Sequence, residues 1–407
     1  MTMMNLPPVI TVPEYALAVV ERLESRGYEA YVVGGCVRDS LLGRQPNDWD
    51  VCTNALPEDV LRVFRRFHVI KTGLQHGTVT VMSDKQPVEV TTFRIDGNYS
   101  DNRHPDAVSF VSRVEEDLAR RDFTINAMAY SPERGVCDPF GGMADIERRI
   151  IACVGDPEQR FREDGLRIMR AVRFASTLDF SVDEATASAA CRLSHLLSAI
   201  SRERVYTEFS KLLCGVGSPR VLRQFSHVLN AAVPNLSEST FVSCAPQISK
   251  LPADPVVRIA FLAASEDASS PGECADEVMA SLKSSTADRR RARLLASERD
   301  LPLPETERGV RRLMSRMSHE NIVAYAAMHS ACTGADGNAF ALLYSDVRRA
   351  DPCVSIKQLA LNGNDVMELT PRRGGEVGEA LAALLCRVVD GEISNTREEL
   401  TRELLKL

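Results

Sequence analysis

At 407 residues the chain is two to three times a typical domain, which excludes a single small module. Hydrophobic residues at 44% and charged residues at 26% are the balance of an ordinary globular protein, and no apolar run approaches the roughly 20 residues of a membrane-spanning helix. The formal net charge of -7, taken alone, discourages a polyanionic partner, because nucleic acid is held through Lys and Arg; where the arginines lie decides the matter.

In chain order, Met1 to Pro13 shows no cationic segment followed by an apolar block, so a cytoplasmic protein is expected. Leu17, Val20 and Leu23 fall at helical spacing over residues 13–27, with Gly27 as a stop. Strands are predicted over Tyr28–Val33, Trp49–Cys52, Gly77–Ser83 and Val88–Arg94. The polar run from Ile95 to Pro105 reads as a mobile loop. After about residue 150 the strand signals fade into helical patterns, punctuated near 215–219, 252–255, 269–272, 301–304 and 333–337. The fold class expected is α+β, a mixed-sheet head followed by all-helical segments. The eleven cysteines are scattered singly, without a Cys-x-x-Cys pair, and read as reduced core thiols.

The chemistry concentrates in two places. Val33-Gly34-Gly35 leads into Arg38, and Asp48-Trp49-Asp50 follows on the next strand. A glycine pair at a strand-to-helix turn lets backbone N–H groups approach a phosphate, and Arg38 is placed to meet the same anion. Carboxylates at i and i+2 of a strand share a face and can hold a divalent cation. This order of parts resembles the nucleotidyltransferase superfamily of DNA polymerase beta. That resemblance implies in-line attack at an α-phosphorus assisted by two metal ions, with a third acid from a later strand, for which Glu89 is the candidate.

The second place is the arginine-rich stretch. In Arg120-Arg121-Asp122-Phe123-Thr124-Ile125-Asn126, either a helix begins with Asp122 as cap and Arg120 in solvent, or Arg121 meets phosphate and Asn126 the sugar. Asp138, in a turn, is expected to brace the head. Farther on, Asp164, Arg167, Arg170 and Arg173 recur every third residue, a spiral of roughly 13–14 Å on one helix. Ile168, Met169 and Val172 pack on the other side. An ionised Asp only accepts and an Arg only donates. Asp164 with Arg167 therefore complements the amino group and bare ring nitrogen of cytosine and adenine, and opposes uracil and guanine. The alternative is a solvated face with an Asp164–Arg167 ion pair.

Taken together, Gly34 to Thr53, His76-Gly-Thr-Val-Thr-Val, Val88 to Arg94, the polar loop, Arg120 to Tyr130, Asp138 to Gly142 and Glu163 to Ala175, with Leu361 to Val366 in the tail, resemble the class II tRNA nucleotidyltransferases and the bacterial poly(A) polymerases. The resemblance implies magnesium on Asp48 and Asp50, with Gly35, Arg38, Arg121, Asp164, Arg167, Arg170 and Arg173 on the nucleotide. The partners implied are tRNA, CTP and ATP; no membrane and no further protein partner is indicated. The implied division is a nucleotidyltransferase head to 150, a base-reading neck over 151–215, a helical body over 216–355 and a tRNA-contacting tail over 356–407.

The loop, with Asp96, Gly97, Asp101 and Arg103, and the absence of a long basic extension favour CCA addition over poly(A) synthesis. CC-only addition stays open, as does a catalytically silent RNA-binding relative; a small-molecule nucleotidyltransferase suits the long helical body less. No His-Asp dipeptide occurs, so an appended phosphohydrolase domain is not expected. Trp49 stands where an aliphatic residue is commoner, and strand alternation points it into packing. Arg289 to Arg293 and Arg308 to Arg312 are either tRNA contacts or solvated faces.

Overall fold

The computed structural model describes residues 10–97, 108–266, 269–299 and 301–407. It forms two compact units, Met1–Val242 and Ser243–Leu407.

The first unit begins with α1 (Glu14–Glu24), β1 (Ala30–Val33), α2 (Gly35–Leu41), β2 (Asp50–Thr53), α3 (Pro57–Val63), β3 (Val69–Ile70), β4 (Thr78–Ser83) and β5 (Gln86–Thr92). It continues through β6 (Arg94–Asp96), β7 (Val108–Phe110), α4 (Val114–Ala119), β8 (Ala129–Ser131), β9 (Gly135–Cys137), α5 (Gly142–Arg148) and β10 (Ile150–Ile151). Seven strands form one sheet in the order β3-β4-β5-β2-β1-β8-β9, mixed because β2 and β5 run parallel while their neighbours are antiparallel. β1 is buried along its whole length because it has a core on each face. Val32 and Val51 pack with α1 residues Val20 and Leu23 on one side, and Tyr31, Val33 and Cys52 with Phe93 and Leu118 on the other. Trp49 is buried in the first of these cores, as strand alternation requires.

All four predicted strands form, with ends shifted by a residue or two. The apolar segment after Asp122 departs from the helix expectation. A single 3₁₀ turn, Thr124–Asn126, leads into β8, because Ala129 and Tyr130 complete the sheet beside Val33 and Val32. The predicted loop begins as the strand β6, paired with β7; residues 98–107, including Asp101 and Arg103, lie outside the described residues.

Helices follow: α6 (Pro157–Glu163), α7 (Leu166–Leu178), then β11 (Ser181–Val182) beside β10, α8 (Glu184–Arg192), α9 (Arg202–Leu213), α10 (Ser218–Gln224), α11 (Ser226–Ala232) and α12 (Glu238–Ile248). The second unit holds α13 (Pro255–Ala264), α14 (Pro271–Ser281), α15 (Thr286–Ser297), α16 (Glu307–Arg316), α17 (His319–Thr333) and α18 (Asn338–Arg349). It ends with α19 (Gly363–Leu369), α20 (Gly375–Val389) and α21 (Arg397–Leu404). The breaker stretches read from the sequence in this half fall at helix boundaries: Pro255 and Pro271 each open a helix, where a missing N–H costs nothing. The tail motif is a helix start, with Leu361 buried and Asn362 closing a capping box with Asp365.

All eleven cysteines are free. Cys36, Cys52, Cys153 and Cys244 are core thiols as expected, but Cys191, Cys332 and Cys386 are exposed because they fall on the outer faces of their helices. No helix of the described residues is long and apolar enough to cross a membrane.

Candidate active site

β1 delivers the chain to Gly34, which caps α2 with φ 83° and ψ -124°, a conformation L-residues avoid. A Cβ there would also lie 2.9 Å from Arg121 Nη1. The backbone conformation demands glycine here, and a side chain would in addition displace the Arg121 guanidinium. At Gly35 a Cβ would only reach ordinary contact, 3.7 Å from Arg38 Nη2, so the demanding glycine is the first of the pair and not the second.

Asp50 opens β2 and Asp48 precedes it by two residues; both are accessible while Trp49 between them is buried. The parallel register Val51 with Val90, carried back one residue, sets Glu89 on β5 beside Asp50. The electrostatics agree with that placement. Crowding by the surrounding protein, then the Glu89 and Asp48 charges, push the Asp50 carboxyl up to about 6, against the pull of Arg121. Asp50 is open to solvent and yet partly desolvated by the protein around it. Among the described residues no three acid, His or Cys side chains are drawn together into a ready metal cage.

Arg121 joins the turn to the acids. Its Nη2 donates to Asp117 at 3.3 Å, and Asp117 is buried and shared with Arg120. Burial opposes the Asp117 charge, but the two guanidiniums and their hydrogen bonds outweigh it and hold the carboxyl below its ordinary value. Arg120 is therefore an ion-pair partner rather than a solvated cation. Arg121 Nε is buried and meets no acceptor among the described residues.

A second network runs from α2 to α9. Arg38 holds both Asp39 oxygens at 2.9 Å and donates to Asn126 Oδ1 at 2.6 Å. Asn126 Nδ2 donates to Asp122 at 3.1 Å, and Asp122 accepts from Arg170 Nε at 2.7 Å. Arg173 Nε donates to buried Glu208 of α9 at 2.8 Å. Three guanidiniums, those of Arg38, Arg170 and Arg173, lie 5.0, 5.4 and 3.5 Å from the Phe174 ring centre. Burial alone would raise Asp122, but Arg170 and the Asn126 hydrogen bond prevail and pull it down to about 2. Asp122 is thus the hub of this network and no helix cap. Asp138 braces α5, accepting from the N–H groups of Gly142 and Met143 at 2.7 and 2.9 Å.

The stretch from Asp164 to Arg173 differs from the expected continuous spiral. α6 ends at Glu163, Asp164 is extended at φ -143°, and α7 begins after Gly165. Gly165 at the break is closely packed, and a Cβ there would approach Leu196 Cβ to 3.2 Å. Arg167, Arg170 and Arg173 do share the less buried strip of α7, opposite Ile168, Met169 and Val172. Asp164 and Arg167 do not pair with each other. Asp164 accepts from Arg204 Nη2 at 2.7 Å and from the Leu166 N–H at 3.0 Å. Arg167 donates to Glu163 at 2.6 Å and to the Arg120 carbonyl at 3.2 Å. A broad cavity of about 780 Å³ lies against Arg120, Arg160 and Glu163; none of Asp48, Asp50, Asp164 and Arg167 lines it.

Sequence reasoning missed Arg204, Glu208 and the hub at Phe174. Nothing local marks Arg204 or Glu208 among the charges of α9, whereas Phe174, directly after Arg173 and four residues after Arg170, was a visible signal.

Comparison with known proteins gives the frame for this geometry. Residues 30–152 match the family model described as Poly A polymerase head domain, residues 179–229 that described as Probable RNA and SrmB-binding site of polymerase A, and residues 265–404 that of tRNA nucleotidyltransferase domain 2. The CCA-adding enzyme of Geobacillus stearothermophilus is 39% identical over 404 residues, 96% of each chain. That of Lactobacillus delbrueckii subsp. bulgaricus is 37% identical over 98% of each. The crystal structure of the Bacillus stearothermophilus CCA-adding enzyme in complex with CTP superposes with a TM-score of 0.82 at 36% identity, covering 97% of this chain and 98% of that one. The Thermotoga maritima CCA-adding enzyme complexed with tRNA shares the fold, with a TM-score of 0.65 at 21% identity over 96% and 94% of the two chains. With relatives this similar along its whole length, the chain belongs to the CCA-adding enzymes, a family of tRNA nucleotidyltransferases.

Proposed function

We propose that this chain adds C, C and A without a template to the 3′ end of tRNA, using CTP and ATP and releasing pyrophosphate. The observation that carries the reading is the buried Arg121 Nε without an acceptor, set against Gly34 and within electrostatic reach of Asp50. A cation with an unpaired donor beside an acidic pair suits a nucleoside triphosphate, phosphates at one end and a metal-binding edge at the other.

Asp48 and Asp50, with Glu89 beside them, would hold magnesium. The fit rests on an oxygen-only donor set and on the mutual repulsion of these acids, which a divalent cation would relieve and which adds to desolvation in lifting Asp50 to about 6. Magnesium bound there supplies charge neutralisation at the α-phosphate and eases loss of the proton from the attacking 3′ hydroxyl. Arg121 and the first-turn N–H groups of α2, from Gly35 onward, take the triphosphate. The 3′ oxygen bonds to the α-phosphorus as the bond to the bridging oxygen breaks, and pyrophosphate leaves with the electron pair. Arg38, Asn126, Arg170 and Arg173 are tied to Asp39, Asp122 and Glu208, so they present a frame already oriented for sugar and phosphates.

Asp164 and Arg167 read the base. A carboxylate accepts about four hydrogen bonds and a guanidinium donates five, so each can hold its present partner and still meet cytosine or adenine. The four-part division into head, neck, body and tail at 150, 215 and 355 and contact of the tail with tRNA belong to the same reading. So does a cytoplasmic place of work, where tRNA and nucleotides are found.

The deciding experiment offers tRNA lacking its CCA end to the protein with CTP, ATP and magnesium. Addition of two C residues and one A is expected; no incorporation from CTP overturns the proposal. The match of residues 30–152 to a poly(A) polymerase head gives the second reading, and a long A tract made without CTP would establish it instead.

A further inference from the structure

Most arginines that the sequence marks in the helical half are neutralised by acids of their own unit. Arg289 pairs with Asp276 at 2.7 Å, Arg291 with Asp254 at 2.6 Å, and Arg308 and Arg312 with Asp390 at 2.8 and 2.5 Å. These are intramolecular ties. The head carries a different arrangement that no local sequence pattern marks.

Arg22, Arg26, Arg62, Arg65 and Arg66 line a cavity of about 380 Å³ between the end of α1 and the end of α3. One carboxylate, Asp59, shares the lining, and Arg62 occupies it at 2.7 Å. Arg22 is fixed as a wall: its Nε donates to the Val63 carbonyl at 3.2 Å, and its guanidinium lies 4.8 Å from the Phe67 ring centre. Arg26, Arg65 and Arg66 are exposed, and their guanidiniums have no hydrogen-bond or ion-pair partner among the described residues. In a chain of net charge -7, four uncompensated positive charges around one concavity work against folding unless something anionic enters it.

We propose that this cavity is a second phosphate-binding site, which grips the sugar-phosphate backbone of the RNA substrate away from its 3′ end. Guanidiniums suit phosphate because the planar fork donates two parallel hydrogen bonds and stays charged at every physiological pH. The place of the cavity separates its ligand from the reacting nucleotide. Tyr28 lines it, and the chain then runs through β1 before reaching Gly34, a span of about 20 Å at about 3.3 Å per residue. One nucleoside triphosphate cannot occupy both ends, whereas a polynucleotide can. The inference rests on the reading above, that the acceptor is a tRNA.

The test compares the full-length protein with the Arg65→Gln/Arg66→Gln and Arg26→Gln variants, all on exposed side chains. tRNA binding is followed by filter retention at several salt concentrations, and CTP incorporation by steady-state kinetics. A five- to tenfold weaker tRNA affinity is expected for the double variant. The slope of log affinity against log salt should become shallower by about one to two, since each phosphate that is no longer neutralised takes roughly 0.7–0.9 off the slope. The kcat and the KM for CTP should stay unchanged, and Arg65→Lys/Arg66→Lys should restore most of the affinity. Unchanged tRNA affinity and salt slope would overturn the proposal. So would inorganic triphosphate that binds the wild type and not the double variant without competing with tRNA, because the site would then serve a free anion. If the catalytic reading itself were wrong, the wild type would fail to incorporate CTP, a result separate from both.

Discussion

At the scale of the single residue, Gly34 and Asp122 are the positions where small changes have the largest defined effects. Gly34→Ala must place a methyl group 2.9 Å from Arg121 Nη1 at φ 83°, so Arg121 or the turn has to move. A stability loss of about 1–2 kcal/mol is expected from the backbone alone, read as a lowered Tm, with a fall in kcat/KM of at least tenfold as Arg121 is displaced. Gly35→Ala meets only ordinary contacts and should lose less in Tm. An equal loss in both would mean that the two glycines share the turn's strain.

Asp122 gives a pH dependence of known sign. Its carboxyl is held at about 2, below the ordinary carboxylate value, by Arg170 and Asn126 against the cost of burial. A lowered folded-state pKa contributes stability that is present above the unfolded value near 4 and is lost as pH falls through 2. The contribution is about 2 kcal/mol, from a shift of nearly two units at about 1.4 kcal/mol each. Denaturant unfolding of the wild type and Asp122→Asn should therefore differ most at neutral pH and converge between pH 4 and 2. A gap that stays constant across that range would show that Asp122 does not carry the charge.

At the scale of elements, contacts between helices control the proposed base-reading pair. Asp164 lies in the break between α6 and α7, and Arg204 reaches it from α9. Arg204 is a positioning residue, and Arg204→Gln should leave the fold intact while loosening the choice among nucleotides. Misincorporation of UTP or GTP relative to CTP should rise about tenfold with a smaller change in kcat for CTP, since losing one charged hydrogen bond costs on the order of 1.5–3 kcal/mol. A purely structural role would instead lower all rates in proportion, and Arg204→Lys would not recover discrimination.

The element scale also shows how far local patterns carry. Strands β1, β2, β4 and β5 and the helix boundaries at Pro255 and Pro271 were legible because alternation, β-branching and proline act within a few residues. The segment from Phe123 to Ser131 was not, because its apolar run is compatible with helix or strand. The open sheet edge beside β1 decides for strand. The α6–α7 break was hidden as well: one glycine in a helical pattern is commonly tolerated, and the extended backbone falls on Asp164, which no local signal marks.

For the whole molecule, two compact units carry separate cores, and all the proposed chemistry falls in the first, Met1–Val242. Asp48 is exposed and makes no core contact, so Asp48→Ala should keep the wild-type Tm within about a degree, as surface changes do. Incorporation should nevertheless fall at least a thousandfold, with CTP binding reduced less than tenfold. Circular dichroism melts and single-turnover assays on the same preparation check both halves. Retained turnover would mean that the acids of β2 are not the metal-binding edge. The acidic average of the chain is likewise a whole-molecule property that says little about any one surface, as the uncompensated arginines beside α1 and α3 illustrate.

The sequence by itself determined the mixed α/β head followed by helices, the four strands β1, β2, β4 and β5, the glycine turn, the accessible acids flanking a buried Trp49 and the arginine strip of α7. Each depends on backbone preferences and side-chain periodicity over a handful of neighbours. Only the tertiary structure decided which charges meet. Arg38 finds Asn126, Asp164 finds Arg204 rather than Arg167, Arg173 finds Glu208, and Glu89 comes beside Asp50 through strand pairing. Ion pairs and hydrogen bonds form between groups that folding brings within a few ångströms, and their partners lie 35 to 88 residues apart in the chain, so no local pattern records them.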